Sequence, residues 1–339
     1  MFISLFWLGV GLLVILGASE LFTNSLEHLG ARLGISEGVT GSVFAAVGTA
    51  LPETVVPLLA LVAGTATASV NEEIGVGAIL GAPLMLSTLT FFLLGLGVVG
   101  TRGVRGLLEP EAAGTARDLD FFLFAFAIAA AAMWCPIEPR ALRIGLSALL
   151  VASYIAYVTL TVRASRSLVA EGHRTEAAEP LILARLGLGR RLPTIALQLF
   201  LGVVAIIAGA KVFIQAVEGV AHHFGMSALL LALLVIPVAT ELPEKVNSIR
   251  WARRHKDTLA VGNITGAMVF QGTLLPALGI LLTPWSPRRE VLLGIIATLT
   301  AALWLRHRLR RRSLPVWALG VNGALYLVYL ILTLTRTSS

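Results

Sequence analysis

The run from Gly34 to Ala63 is apolar and long enough to cross a bilayer, yet its middle holds a proline and a carboxylate, in Gly48-Thr49-Ala50-Leu51-Pro52-Glu53. A carboxylate at the centre of a membrane helix costs roughly 2.5–3.5 kcal/mol on insertion scales, which makes such a residue a functional candidate by default. A second apolar run repeats the stretch as Ala239-Thr240-Glu241-Leu242-Pro243-Glu244, with Thr, Leu, Pro and Glu in the same register. Any fold for this chain has to place both stretches in apolar surroundings.

Those surroundings are a membrane. Of the 339 residues, 57% are hydrophobic and 13% charged, whereas soluble domains carry about 25% charged residues. Only helices and closed barrels satisfy the backbone in lipid. Barrel strands would alternate over about ten residues. Here the apolar runs are about twenty residues or longer and do not alternate, so the expected class is an all-α integral membrane protein. The single Cys135 excludes an intrachain disulfide. No Lys or Arg precedes Arg32, so Met1 to Gly17 lacks the basic start of a secretory signal and is expected to stay as the first helix.

Ten transmembrane helices are predicted. They cover Phe2 to Asn24, Ser36 to Ala63, Glu72 to Val99, Leu119 to Cys135 and Ala141 to Val162, then Pro193 to Val217, Ser227 to Ile249, Thr258 to Leu282, Val291 to Leu305 and Pro315 to Leu334. Thr101 to Arg117 reads as a polar loop. Residues 1–162 form a first five-helix repeat, 163–192 a cytoplasmic linker, and 193–339 a second five-helix repeat.

The two halves match in sequence. An offset of 191 superimposes Phe22 on Phe213, Glu27 on Glu218, Gly34 on Gly225, Thr49 on Thr240, Pro52 on Pro243 and Glu53 on Glu244. An offset of 185 superimposes Gly77 on Gly262, Gly81 on Gly266 and Ala82 on Ala267. Apolar matches arise by chance between membrane helices, but Pro, Glu and Gly in one register mark a duplication. Five crossings per half invert the second copy, and inverted repeats point to a transporter with its site at the midplane. With the N-terminus outside, 19 of the 26 Lys and Arg residues fall in cytoplasmic loops and five outside, as the positive-inside rule requires. The net charge of +7 is thus a matter of topology, and no nucleic-acid partner is expected.

Thr49 and Glu53 are four apart and share a helix face, as do Thr240 and Glu244. Pro52 and Pro243 lack an N–H and loosen the carbonyls of Gly48 and Ala239. Each copy therefore offers a carboxylate, a hydroxyl and a carbonyl, the hard oxygen donors that Ca²⁺ prefers. Two carboxylates balance one divalent cation, or hold monovalent ions or protons in its place, and such competition is the physical basis of antiport.

At this point the sequence resembles the sodium/calcium exchanger family, within the cation/calcium antiporter superfamily. Gly48 to Glu53 and Ala239 to Glu244 carry the resemblance, supported by Gly77 to Ala82 and by Gly262-Asn263-Ile264-Thr265-Gly266-Ala267. It implies a plasma-membrane antiporter exchanging Ca²⁺ for Na⁺, in which Glu53 and Glu244 ligate the cation and Thr49 and Thr240 supply hydroxyls. Ala50 and Glu241 stand where the family usually has Ser. The third helix reads Gly81-Ala-Pro-Leu-Met-Leu86, so its polar ligands are expected to be missing, and the eighth keeps Gln271. The expected cation ligands are therefore Glu53, Glu244, Thr49, Thr240, Glu241 and Gln271.

Glu241 either binds an ion or pairs with Lys245, four residues on. Asn263 is a ligand or an interhelical hydrogen bond. Glu72 and Asp257 are read as first-turn charges favoured by the helix dipole. Gly77, Gly81, Gly262 and Gly266 are read as allowing close helix packing. Proton-coupled cation exchange is an alternative, and a non-transporting membrane sensor or scaffold is an alternative of another class. No enzyme motif is present and no cofactor is expected. The partners expected are inorganic cations and the lipid bilayer, acting on a monomer in the inner membrane.

Overall fold

In the computed structural model the described residues are 2–34, 39, 42–43, 54, 57–58, 61, 68–170, 179–189, 191–224, 228–234, 237, 241–309 and 314–335. They are helical almost throughout, and among them seven helices are long and apolar enough to cross a membrane.

Two of the longest, α1 (Phe2–Leu33) and α6 (Leu192–Phe224), pack along each other. Glycines bring them close. A Cβ at Gly11 would lie 3.0 Å from the backbone nitrogen of Phe213, and one at Gly202 would lie 3.1 Å from Cα of Phe22. Offset by 191, Gly11 becomes Gly202 and Phe22 becomes Phe213, so the two contacts exchange roles.

The remaining helices form the main body. Helix α2 (Ala68–Met85) runs through a π-helical turn at Leu86–Thr90 into α3 (Phe91–Arg102). Gly103, at φ +73°, ends α3 and donates to Val99 O. Then come α4 (Ala112–Ala131), α5 (Arg140–Ala170), α7 (Ala228–Leu234) and α8 (Leu242–Arg253). Helix α9 (Asp257–Leu282), α10 (Arg289–Leu309) and α11 (Leu319–Leu334) complete the set. Helix α9 is the axis: 83% of its apolar span is buried, against 24% for α1. It packs on α2, α4, α5 and α8. An apolar helix with no polar face belongs in an interior, and α9 is of that kind.

Several expectations need correction. The chain is not purely helical, because Leu107–Leu108 (β1) and Leu314–Pro315 (β2) pair antiparallel. The third predicted helix is interrupted by the π turn, where Ser87 and Thr88 hydroxyls both turn back to Leu84 O. Such back-bonding competes with the helix ladder. Within the seventh predicted helix the described helical stretches include α7 and α8, and Glu241, just before α8, is a turn. Pro243 falls in the first turn of α8, where a missing N–H costs nothing. The fourth starts at Ala112, seven residues before the expected Leu119, because Glu111 caps it by accepting from Ala113 N and Gly114 N. The fifth runs on to Ala170, into the expected linker, and Ile182–Leu186 is a 3₁₀ turn.

Contacts at the helix ends fall into two sets. At one end Arg102 meets Asp257 at 2.6 Å and β1 pairs with β2. The same end carries Glu179 beside Arg185, and Asn24 holding Ile182 N at 3.1 Å. At the other, Arg288 meets Glu73 at 2.6 Å, Arg143 donates to Thr283 O at 2.6 Å, and Trp285 Nε1 donates to Ala129 O at 2.9 Å.

Candidate functional site

Six residues were expected to hold the cation. Thr49, Glu53 and Thr240 lie outside the described residues, as does the side chain of Glu244, whose backbone sits in the first turn of α8. Glu241 and Gln271 are described, and both are fully buried.

Glu241 immediately precedes α8, and its N–H donates to Pro237 O at 3.1 Å. Its carboxylate does not cap the helix. Instead Oε2 lies 3.2 Å from Lys245 Nζ, one turn along, and accepts from Thr90 Oγ1 at 3.4 Å. Lys245 Nζ also donates to Pro237 O at 3.4 Å. The pairing alternative for Glu241 is therefore realised. A buried pair of this kind keeps its charges only because each has the other and further polar contacts.

Thr90 was missed by the sequence reading, which ended the third helix's polar inventory at Leu86. The next four residues contain Ser87, Thr88 and Thr90, all buried. The π turn carries them, and Asn322 Nδ2 from α11 donates to Ser87 O at 2.7 Å within it. Isolated π turns in α-helices frequently occur at functional sites. The third helix is thus not dry: it supplies the hydroxyl that reaches Glu241.

Gln271 sits on α9 with neither amide atom hydrogen-bonded among the described residues. Buried polar groups are almost always satisfied, and an exception requires an explanation. An amide oxygen is a ligand type that hard cations accept. No hydrogen bond links Gln271 to Glu241 among the described residues. Nor does any group of three or more His, Cys, Asp or Glu side chains converge there. The described donors are therefore single carboxylates supplemented by hydroxyl and amide oxygens.

The other sequence candidates make contacts between helices. Asn263 Nδ2 donates to Ser248 Oγ at 3.1 Å, tying α9 to α8. Asp257 is more than a dipole charge: Arg102 holds it, and Glu109 N donates to it at 2.8 Å. The glycines pack as expected. A Cβ at Gly81 would lie 2.7 Å from Leu233 O, and one at Gly266 would overlap the backbone of Ser42. Gly81 and Gly266 correspond under the offset of 185, and Ser42 and Leu233 under 191. Each glycine thus admits the backbone of an apolar run that carries one copy of the motif. A second buried carboxylate, Asp118 on α4, escaped the sequence reading altogether.

Residues 3–163 and 194–335 match the sodium/calcium exchanger protein family. The chain is 24% identical over 290 residues to the putative antiporter CaxA of Alkalimonas amylolytica, covering 84% of this chain and 82% of that one. It is 26% identical over 280 residues to the inner membrane protein YrbG of Escherichia coli K12, covering 81% and 78%. Among solved structures, the H⁺/Ca²⁺ exchanger CAX superimposes with a TM-score of 0.76 at 20% identity, over 98% of this chain and 82% of that one. The sodium–calcium exchanger NCX_Mj gives 0.66 at 18% identity, over 98% of both. These two likenesses establish the fold.

Proposed function

The chain belongs to the sodium/calcium exchanger protein family, and on that premise we propose that it is a secondary active antiporter moving Ca²⁺ against Na⁺ across the plasma membrane. Gln271 carries this reading. A buried amide without a hydrogen-bond partner among the described residues, on the most deeply buried of the described membrane-length helices, is an oxygen donor held ready for a cation. Glu53 and Glu244 are the principal cation ligands in this reading, with Thr49 and Thr240 as hydroxyl donors and Glu241 and Gln271 at the margin.

The architecture proposed is ten crossings in two inverted repeats, residues 1–162 and 193–339, joined by a linker at 163–192. The exchanged contact pairs Gly11–Phe213 with Gly202–Phe22, and Gly81–Leu233 with Gly266–Ser42, support it. So do the two sets of end contacts, which join loops expected on the same face. The Arg102 end is assigned to the cytoplasm and the N-terminus to the outside, on the distribution of Lys and Arg.

A second reading, exchange of the cation for H⁺, is favoured by one observation. Lys245 already supplies a cation to Glu241, which leaves one fewer position for Na⁺. The exchanger CAX, a H⁺/Ca²⁺ exchanger of the same fold, is in line with it. The test is Ca²⁺ uptake into proteoliposomes driven separately by a Na⁺ gradient and by a pH gradient. Uptake under Na⁺ alone supports the first reading, and uptake under the pH gradient alone supports the second. Absence of flux under either gradient, with folded protein, overturns both. Glu53→Gln and Glu244→Gln are each expected to abolish uptake, and parent-like transport by both would remove them from the site.

A further inference from the structure

Asp118 on α4 is 1% exposed, and every hydrogen-bond contact it makes is to a hydroxyl. Oδ2 accepts from Ser42 Oγ at 2.9 Å and from Thr265 Oγ1 at 2.6 Å. Oδ1 lies 3.0 Å from the phenolic oxygen of Tyr157, which is itself 3.1 Å from Ser42 O. A phenol has one hydrogen to donate. With Asp118 ionised, one of these two close oxygen pairs has no hydrogen between its members. With a proton on Oδ1, Asp118 donates to Tyr157 and Tyr157 donates to Ser42 O, so both of these pairs are hydrogen bonds. A neutral acid also avoids the large cost of an unpaired buried charge.

The charged neighbours do not change that count. On its own helix, Arg117 turns its guanidinium to Leu160 O at 3.3 Å, and Asp120 is held by Arg306 of α10. From α5 the titratable groups facing it are Tyr157 and, behind it, Tyr154. From α9 it meets Thr265, and from the first motif-bearing run Ser42.

A crevice adjoins the contacts of the acid. The lining of this crevice includes Ser42, Glu111, Thr115, Arg117, Thr161 and Thr258. Thr161 stands one turn beyond Tyr157 on the same face of α5. Its side chain is 95% buried, and its hydroxyl has no partner among the described residues. A hydroxyl without a partner among the described residues, with other polar side chains lining the same crevice, offers a seat for water. Ser42, which touches Asp118, lines the same crevice.

We propose that Asp118, which is not among the six candidate cation ligands, is a proton-binding site filled from solvent through this crevice. Loading forms an O–H bond on Oδ1 with a proton delivered by water, and unloading returns that proton to water. The bound proton decides whether Tyr157 clasps the backbone of Ser42. Ser42 lies seven residues before Thr49 and packs on Gly262 and Gly266 of α9. Occupancy of Asp118 therefore sets how firmly the motif-bearing segment is held to α5, through Tyr157.

Infrared difference spectroscopy of the purified full chain, titrated from acid to alkaline pH without added cations, tests this. The parent is expected to show the C=O stretch of a buried carboxylic acid that disappears on alkalinisation. Asp118→Asn, an isosteric mimic of the neutral form, is expected to lack that band, and Tyr157→Phe to shift its frequency. Absence of the acid band in the parent, or an undiminished band in Asp118→Asn, overturns the proposal. If Asp118→Asn does not fold, Tyr157→Phe decides, and an unshifted band overturns it. A parallel titration with Na⁺ at fixed acid pH distinguishes a metal cation: loss of the band under Na⁺ overturns the proton assignment. No transport is needed for this measurement, so its outcome is independent of the exchanger reading.

Discussion

Lys245 Nζ lies 3.2 Å from Glu241 Oε2, and the two side chains are 4% and 0% exposed. Glu241 stands inside the second copy of the duplicated motif, where an additional carboxylate would otherwise have to be neutralised by an ion or a proton. Lysine four residues on supplies that charge from within the chain, in the orientation that helix geometry favours. Thr90 and Pro237 O satisfy part of what remains.

Lys245→Met therefore leaves a buried carboxylate without its counter-ion. Breaking one partner of such a pair costs about 3–5 kcal/mol, and a loss of that size is expected in cation-free buffer. If Glu241 then takes up an external cation, Ca²⁺ or Na⁺ will raise the unfolding temperature of the variant more than that of the parent. Thermal unfolding of purified protein with and without each ion checks this. The same loss in every buffer would show that no ion takes the place of Lys245.

Gln271→Leu separates a ligand from a packing residue. The amide makes no hydrogen bond among the described residues. An unsatisfied buried polar group costs about 1–3 kcal/mol, so its removal is expected to leave stability unchanged or raise it by up to that amount. Half-maximal uptake is expected to require about tenfold more Ca²⁺, equivalent to about 1.4 kcal/mol of binding. Unfolding curves and the concentration dependence of uptake in proteoliposomes measure the two effects. Lower stability with unaltered uptake would make Gln271 part of the packing alone.

What the sequence revealed follows from what membrane insertion demands locally. Long apolar runs declare helices, and the paired Pro, Glu and Gly residues declare a duplication that the Gly11–Phe213 and Gly202–Phe22 contacts match. What it concealed depends on register or on distance along the chain. Asp118 was overlooked because the fourth helix was started one residue after it, whereas the Glu111 cap places the start at Ala112. Thr90 was overlooked because a π turn alters the helical register that spacing arguments assume. Arg102 and Asp257 are 155 positions apart, and no local pattern connects them.

Glycine contacts predict opposite signs at two kinds of site. A Cβ at Gly266 would collide with the Ser42 backbone, whereas one at Gly100 meets nothing within 4 Å. Gly266→Ala is expected to destabilise by roughly 1–3 kcal/mol, the usual cost of overpacking. Gly100→Ala is expected to be neutral or to stabilise by up to about 1 kcal/mol through helix propensity. Gly81→Ala, pressed on Leu233 O, should behave like Gly266→Ala. Unfolding temperatures of the three variants make the comparison, and a stable Gly266→Ala would refute the close approach.

The ion pair Arg102–Asp257 fastens the start of α9 to the end of α3 at 2.6 Å, with side chains 7% and 8% exposed. Arg102 also donates to Leu107 O at 2.8 Å, and Glu109 N donates to Asp257, so the pair anchors the loop containing β1 as well. Arg102→Met strands the carboxylate, and Asp257→Asn strands the guanidinium. Each is expected to cost about 3–5 kcal/mol. The double variant leaves neither charge stranded, so it should lose less than the two single losses combined, and a double-mutant cycle in thermal unfolding measures that coupling. Burial also fixes the salt response. Exposed pairs are screened at high ionic strength, and buried ones far less. Glu20–Arg250, at 61% and 54% exposed and 3.8 Å apart, should contribute nothing measurable in high salt. The penalty for Arg102→Met should persist there, and a penalty that vanishes with salt would mean that water reaches the pair.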